Sequence, residues 1–257
     1  MKARFLFSLC LVFYTSILFA SDLKSNNLTL GIMPRDAPPS IVYKDGILTG
    51  TDSDVVNAVA KRAGINIRIT VLPWKRVQLM VKNGTLDGAA VGYRTAERER
   101  YGIYTDTPIN YVSYSIFVKN GKEFSFNRVD DLYGKRVGKP EGFQVYLALD
   151  VAAKEGSIDL YEFRSRKTLI SMLRLGRLDA IVTLSKDTEY ELRLLGITDV
   201  VALPRHIQKP EGSYIWFSKS ANLAPEVLVR FNHALKEMVK DGSLQEIYQK
   251  YGLSYLP

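Results

Sequence analysis

The chain has 257 residues, 46% of them hydrophobic and 24% charged, with 18 Gly and 10 Pro. That composition excludes a disordered chain, a collagen-like chain and a disulfide-stapled mini-domain, and leaves room for one large domain or two ordinary ones. The formal charge of +8 fits nucleic acid, a membrane surface or a small anion as partner, but Lys and Arg are spread along the chain and single out none of them.

At the N-terminus Lys2 and Arg4 precede an apolar run over 5–19, and Ala20 follows. A basic start, a short apolar stretch and a small residue mark a secretory signal peptide over 1–20. The run is too short to span a bilayer comfortably. Cleavage after Ala20 would remove Lys2, Arg4 and Cys10, the only cysteine. Losing it suits an oxidising compartment, and the expected location is the periplasm.

Beyond residue 20, strands and helices alternate. Residues 28–33 read as a short apolar strand, and Asp36-Ala37-Pro38-Pro39 forces a loop. Thr51 or Asp52 is placed to cap a helix carrying Val55, Val56, Val59 and Ala63, which Gly64 stops. Ile67, Ile69 and Val71 alternate as in a strand. Trp74, Val77, Met80 and Val81 share one face of a helix that ends at Gly84. Residues 86–91 read as a strand, and Thr95 as the cap of a short helix. This β-α-β-α-β order predicts a mainly parallel sheet with helices on both sides.

The pattern then recurs. Residues 80–89 (MVKNGTLDGA) parallel residues 172–181 (MLRLGRLDAI): a helix end, a glycine, a Leu-Asp pair and a buried strand. The spacing is too long for a solenoid and fits two similar α/β lobes. The second lobe gains a strand at 136–138, a helix through Tyr146, Leu149 and Ala152, a strand at 158–161, and a helix with Leu169, Ile170 and Leu173. Strands at 111–118 and 213–218 flank it as the natural crossings between lobes. Two helices, 225–240 and 243–251, end the chain, broken at Asp241-Gly242. The expected division is 21–114 with 212–257 in the first lobe, and 115–211 in the second with the hinge crossings.

Several short pieces now fall into one order. They are Gly50-Thr51-Asp52-Ser53-Asp54, Gly84-Thr85-Leu86-Asp87, Thr95-Ala96-Glu97-Arg98 and Tyr104-Thr105-Asp106-Thr107-Pro108, then Asp131-Leu132-Tyr133-Gly134-Lys135-Arg136-Val137-Gly138 and Gly176-Arg177-Leu178-Asp179-Ala180, and last Phe231-Asn232-His233-Ala234-Leu235 and Asp241-Gly242-Ser243-Leu244. In number, order and spacing they resemble the type II periplasmic solute-binding proteins of family 3, which include the polar amino-acid receptors of ABC importers. The resemblance covers nearly all of the chain after residue 20. It implies an α/β, two-lobed periplasmic-binding-protein type II fold (a Venus flytrap) with two crossover strands and a ligand held in the cleft. Helix starts at such a cleft favour an anion or zwitterion.

The resemblance also makes Arg98 the partner of a ligand carboxylate, which a guanidinium holds with two parallel hydrogen bonds. As an N-cap, Thr95 would set Arg98 in the first helical turn. On spacing alone, residues 97–100 read instead as a solvated helix face with surface ion pairs. The surroundings depart from the amino-acid receptors. Gly92-Tyr93-Arg94 stand where small hydroxyl residues are usual, and Gly142-Phe143-Gln144 where Gly precedes Ser or Thr. Thr183, Leu184 and Ser185 replace the acid that holds an α-amino group there, and Asp187 is the nearest acid. A buried ammonium needs a partner, so a standard α-amino acid is disfavoured. A broader aromatic pocket of Tyr93, Phe143 and Trp74 fits, with core packing as the alternative for Trp74 and Phe143. The expected ligand-binding set is Arg98, Tyr93, Thr95, Trp74, Phe143, Gln144 and Asp36. Surface pairing competes for Asp36 and for Arg76, and Asp87 and Asp179 read as structural residues at strand starts.

After cleavage no thiol nucleophile is left, and the sequence has no metal-ligand cluster and no phosphate-binding glycine loop. The two histidines, His206 and His233, lie far apart. No catalytic residue, metal or cofactor is therefore expected. Basic residues are not interleaved with aromatics, which argues against nucleic acid. Three functions fit. The expected one is a monomeric receptor that delivers a small anionic or zwitterionic solute to an ABC permease. The others are a sensory or accessory module, and an enzyme like the cyclohexadienyl dehydratases that share this fold. For the enzyme Glu141, Asp187 and Glu189 are the available acids.

Overall fold

Two sheets organise the chain. The computed structural model describes residues 26–33, 38–141 and 146–255, so the expected signal peptide, Asp36, Phe143 and Gln144 lie outside the described residues. In the first sheet the spatial order is Asn66–Val71, Asn27–Ile32, Gly88–Tyr93, Glu211–Ser218, Gly102–Tyr104, and Asn110–Val112 also pairs with Glu211–Ser218. In the second the order is Asp159–Phe163, Arg136–Pro140, Ala180–Leu184, Tyr114–Lys119, Val200–His206. The first three strands of each order are parallel and the rest join antiparallel.

The recurring Leu-Asp pair has a physical meaning in this arrangement. The Asp87 carboxylate accepts the backbone N–H of Thr29 at 2.7 Å, and that of Asp179 accepts the N–H of Arg136 at 2.8 Å. Thr29 and Arg136 lie on equivalent strands, the middle one of each parallel trio. Each acid, just before the last strand of its trio, ties that strand to the middle one. The glycines before them, Gly84 and Gly176, take positive φ (77° and 67°) and end the preceding helices.

Helices cover both faces of the first sheet. Thr51–Arg62, Glu226–Lys240 and Ser243–Gln249 bury Val55, Val56, Val59, Phe231, Leu235 and Tyr248 on one side. Trp74–Lys82 packs Val77 and Val81 on the other, against the fully buried Trp216. The second sheet is likewise flanked by Leu147–Lys154, with Leu149 and Ala152 inward, and Arg166–Arg174, with Leu169, Ile170 and Leu173 inward. Each of the buried Val, Leu, Ile and Phe side chains contributes roughly 1.5–3 kcal/mol when removed from water.

Two local expectations are corrected. Neither Thr51 nor Asp52 caps the first helix; Gly50 precedes it and the helix starts at Thr51. The N–H groups of Thr51 and Asp52 donate to the carbonyls of Pro39 (2.8 Å) and Ser40 (3.0 Å), so the neighbouring loop meets the need a capping side chain would serve. The strand expected at 111–118 is not continuous. It breaks at Ser113 into Asn110–Val112 in the first sheet and Tyr114–Lys119 in the second. The Ser113 carbonyl there accepts the N–H of Ser185 from the second lobe. The chain returns between Val200–His206 and Glu211–Ser218. The hairpin Val42–Lys44/Ile47–Thr49 and the helix Ser185–Leu194 were not legible in the periodicity.

Candidate functional site between the lobes

A cavity of about 300 Å³ lies between the sheets. From the first lobe Met33, Trp74 and Tyr93 reach it, each at or just beyond the carboxyl end of a parallel strand. From the second come Leu184, Ser185, Lys186 and Asp187, at the end of Ala180–Leu184 and the start of the following helix. The crossing segment 110–114 forms the rest of the wall. Carboxyl ends of parallel strands are where open α/β sheets hold ligands.

Arg98 lines this cavity. Its Nη1 donates to the Tyr93 carbonyl at 2.9 Å, and its guanidinium lies 5.0 Å from the centre of the Trp74 ring. The Tyr93 carbonyl also accepts the Tyr104 hydroxyl at 3.1 Å. Burial pushes the Tyr104 phenol up to about 12, even though the positive charge of Arg98 works against the rise. Tyr104 in turn stacks on Trp216 at 5.6 Å, and Trp74 meets Trp216 edge-on at 6.4 Å. Arg98 therefore stands on a stack of packed rings. Gly92 makes that stack possible, since a Cβ there would come within 2.7 Å of the Trp216 Nε1.

Glu99 pairs not within 97–100, as the solvated-face reading expects, but with Arg94 before it, Nε to Oε1 at 2.5 Å. Arg98 faces the cavity instead. Thr95 accepts the N–H of Arg98 at 3.3 Å as the cap of Ala96–Glu99, and does not itself line the cavity. Of the expected ligand set, the structure brings Arg98, Tyr93 and Trp74 to one place.

The second lobe brings Asp187 and Lys186, and the first brings Asp52, none of them expected as ligand contacts. Asp187 is buried, accepts the Ser40 hydroxyl at 2.7 Å and lies 3.6 Å from Arg166 Nη1. Asp52 is buried and accepts the Asn110 amide at 3.2 Å. Lys186 donates to the Tyr255 carbonyl at 2.9 Å and lies 5.3 Å from the centre of the Tyr248 ring. Burial lowers the Lys186 ammonium to about 8, against the opposite pull of Asp52, Glu189 and Asp187. Several of these bonds join the lobes: Ser40 to Asp187, Lys186 to Tyr255, Arg166 to the Pro38 carbonyl (3.2 Å) and Arg193 to the Gly252 carbonyl (2.6 Å).

The acids considered for catalysis are not assembled. Glu141 pairs with Arg164 at 2.9 Å on an exposed edge, Asp187 is held by Ser40 and Arg166, and Glu189 is exposed on the same helix as Asp187 and does not line the cavity. Among the described residues no three His, Cys, Asp or Glu are grouped to hold a metal ion.

The geometry agrees with three comparisons. The profile of the bacterial extracellular solute-binding proteins, family 3, matches residues 28–254. The L-cystine-binding protein TcyJ of Escherichia coli (strain K12) is 27% identical over 228 residues, spanning 87% of this chain and 82% of that protein. A probable histidine-binding protein of Campylobacter jejuni is 26% identical over 233 residues, spanning 88% and 87%. The L-cystine solute receptor of Neisseria gonorrhoeae, solved in its unliganded open conformation, superposes with a TM-score of 0.69 at 20% identity, covering 90% of this chain and 94% of that one. It shares the two-lobed fold. With its two sheets, paired crossings and interlobe cavity, the chain belongs to the bacterial extracellular solute-binding proteins, family 3.

Proposed function

We propose that the protein captures a small carboxylate-bearing solute, of amino-acid size, and delivers it to an ABC importer. The observation that carries this reading is the placement of Arg98 on the cavity wall, fixed by the Tyr93 carbonyl and the Trp74 ring. One N–H goes to Tyr93, and a guanidinium has five. The remaining donors can form the two parallel bonds that a carboxylate accepts. Relatives named for binding cystine and histidine support a zwitterionic or anionic ligand.

The rest of the reading follows from the chain. The lobes divide as 21–114 with 212–257, and 115–211, a division supported to within a residue or two by the change of sheet at Ser113 and between His206 and Glu211. The basic and apolar N-terminus exports the protein to the periplasm, where it works as a monomer. It binds without turnover, since the acids nearest the cavity are engaged by protein groups.

A thermal-shift screen against amino acids, small carboxylates, amines and cell-wall fragments tests the reading. A ligand at a hundred times its Kd adds about 2.7 kcal/mol. A screen in which only purely cationic compounds stabilise the protein would contradict it.

A further inference from the structure

Four uncharged or titratable side chains meet at the hinge behind the cavity. The Ser113 hydroxyl donates to Ser185 Oγ at 3.0 Å. Ser115 and Ser185 share a hydrogen bond of 2.7 Å. Ser115 Oγ lies 2.9 Å from His206 Nδ1, and Ser185 Oγ 3.5 Å from the same nitrogen. The three serines are almost fully buried, and Ser113 and Ser185 line the cavity. Ser113 and Ser115 come from the first crossing, His206 from the return crossing and Ser185 from the start of the helix Ser185–Leu194. The carboxylate reading uses none of them.

We propose that Ser113 and Ser185, oriented from behind by Ser115 and His206, form a second ligand subsite that takes an uncharged hydrogen-bonding group. The preferred ligands are then carboxylates bearing a hydroxyl or an amide, not a free ammonium. This inference rests on Arg98 as the carboxylate anchor. With His206 Nδ1–H donating to Ser115 and Ser115 donating to Ser185, the Ser185 proton stays free for a ligand acceptor, while Ser113, whose proton goes to Ser185, accepts; the pair then matches a group that both donates and accepts. A buried ammonium needs a carboxylate turned towards it. The two acids on this wall face protein donors: Asp187 meets Ser40 and Arg166, and Asp52 meets Asn110. His206 does not line this cavity and acts as a positioning residue. Its nitrogen fixes the Ser115 hydroxyl, which fixes that of Ser185.

Calorimetric titration of the purified protein with matched trios tests the proposal. One trio is L-leucine, L-2-hydroxyisocaproate and N-acetyl-L-leucine. The other is L-phenylalanine, L-phenyllactate and N-acetyl-L-phenylalanine. The hydroxy or N-acetyl member should bind at least about tenfold more tightly than the free amino acid. Ser185→Ala and His206→Leu should bring that ratio close to one, a readout that general loss of stability does not produce. Tighter binding of the free amino acids overturns the subsite, as does an unchanged ratio in both variants. Arg98→Ala separates the two readings. If it leaves the tightest probe unaffected, the carboxylate anchor fails; if it abolishes binding while the amino acid wins, only the subsite fails. Silence from all six probes counts against both.

Discussion

The Arg98 guanidinium lies 5.0 Å from the centre of the Trp74 ring, at the junction of strand ends and cavity. Trp74 is therefore a platform that keeps a cation in place as well as a wall of the pocket. A cation over an indole face is worth about 0.5–2 kcal/mol, more when water is excluded. Trp74→Leu should weaken binding of whichever carboxylate the screen returns by roughly tenfold, through loss of that platform. Arg98→Ala should abolish the ligand-induced thermal shift with the unliganded melting temperature nearly unchanged, and Arg98→Lys should recover only part of it, because an ammonium lacks the planar fork. Equal binding by wild type and Arg98→Ala in calorimetry would remove Arg98 from the site.

The lobes and their repeat were legible because each left a local pattern, whereas Arg98 stood out only through the resemblance carried by Thr95-Ala96-Glu97-Arg98, since spacing alone reads it as part of a solvated helix face. Gly84-Thr85-Leu86-Asp87 and its counterpart Gly176-Arg177-Leu178-Asp179 signal helix end and strand start within four residues. The opposite wall was less legible, because it is assembled from residues distant in sequence. Ser40 reaches Asp187, and Lys186 reaches Tyr255, only once the lobes have met. Asp187 was noted as the nearest acid, yet nothing in Ser185-Lys186-Asp187 announces what faces it. One signal was available for the others: the second-lobe strand ends at Leu184, and residues just past a parallel strand border the cleft. The break at Ser113 was hidden because both halves of 111–118 carry the same strand-like composition and differ only in which sheet pairs with them.

Asp187 links the lobes through Ser40 and stands beside Arg166. It is 4% exposed, so removing it takes the partner from the half-buried Ser40 hydroxyl and leaves a guanidinium with less compensation. Asp187→Ala should lower stability by about 1–3 kcal/mol in urea denaturation at pH 7. Asp187→Asn keeps an acceptor for Ser40 and should recover part of the loss. A variant as stable as wild type would show that this interlobe contact contributes little.

Gly88 opens the third parallel strand against Glu211–Ser218. A Cβ there would sit 2.2 Å from the Trp216 carbonyl oxygen, and backbone cannot rotate aside as a side chain does. Gly88→Ala must separate two paired strands beneath the aromatic stack that supports Arg98. It should cost about 1–3 kcal/mol or more, and ligand affinity should fall with it. Differential scanning calorimetry of the alanine variant checks this; a melting temperature equal to wild type would mean that the strands yield more easily than the contact implies.

Lys186 carries the clearest pH signature in the cavity. In the folded protein its ammonium titrates near 8, against 10.5 for an unconstrained lysine, chiefly because it is buried. The unfolded chain therefore binds the extra proton between those values, and stability should rise with pH across that window. Below 8 the folded state carries a partly desolvated charge that the bond to the Tyr255 carbonyl only partly offsets. Lys186→Met removes the charge and the bond together. It should be more stable than wild type at pH 7, by about 2 kcal/mol once the lost hydrogen bond is deducted. The advantage should shrink steadily as pH rises from 8 towards 10.5. Urea denaturation of both proteins at several pH values measures it. If the two curves run parallel from pH 7 to 10, Lys186 is not a strained charge, and its bond to Tyr255 outweighs its burial.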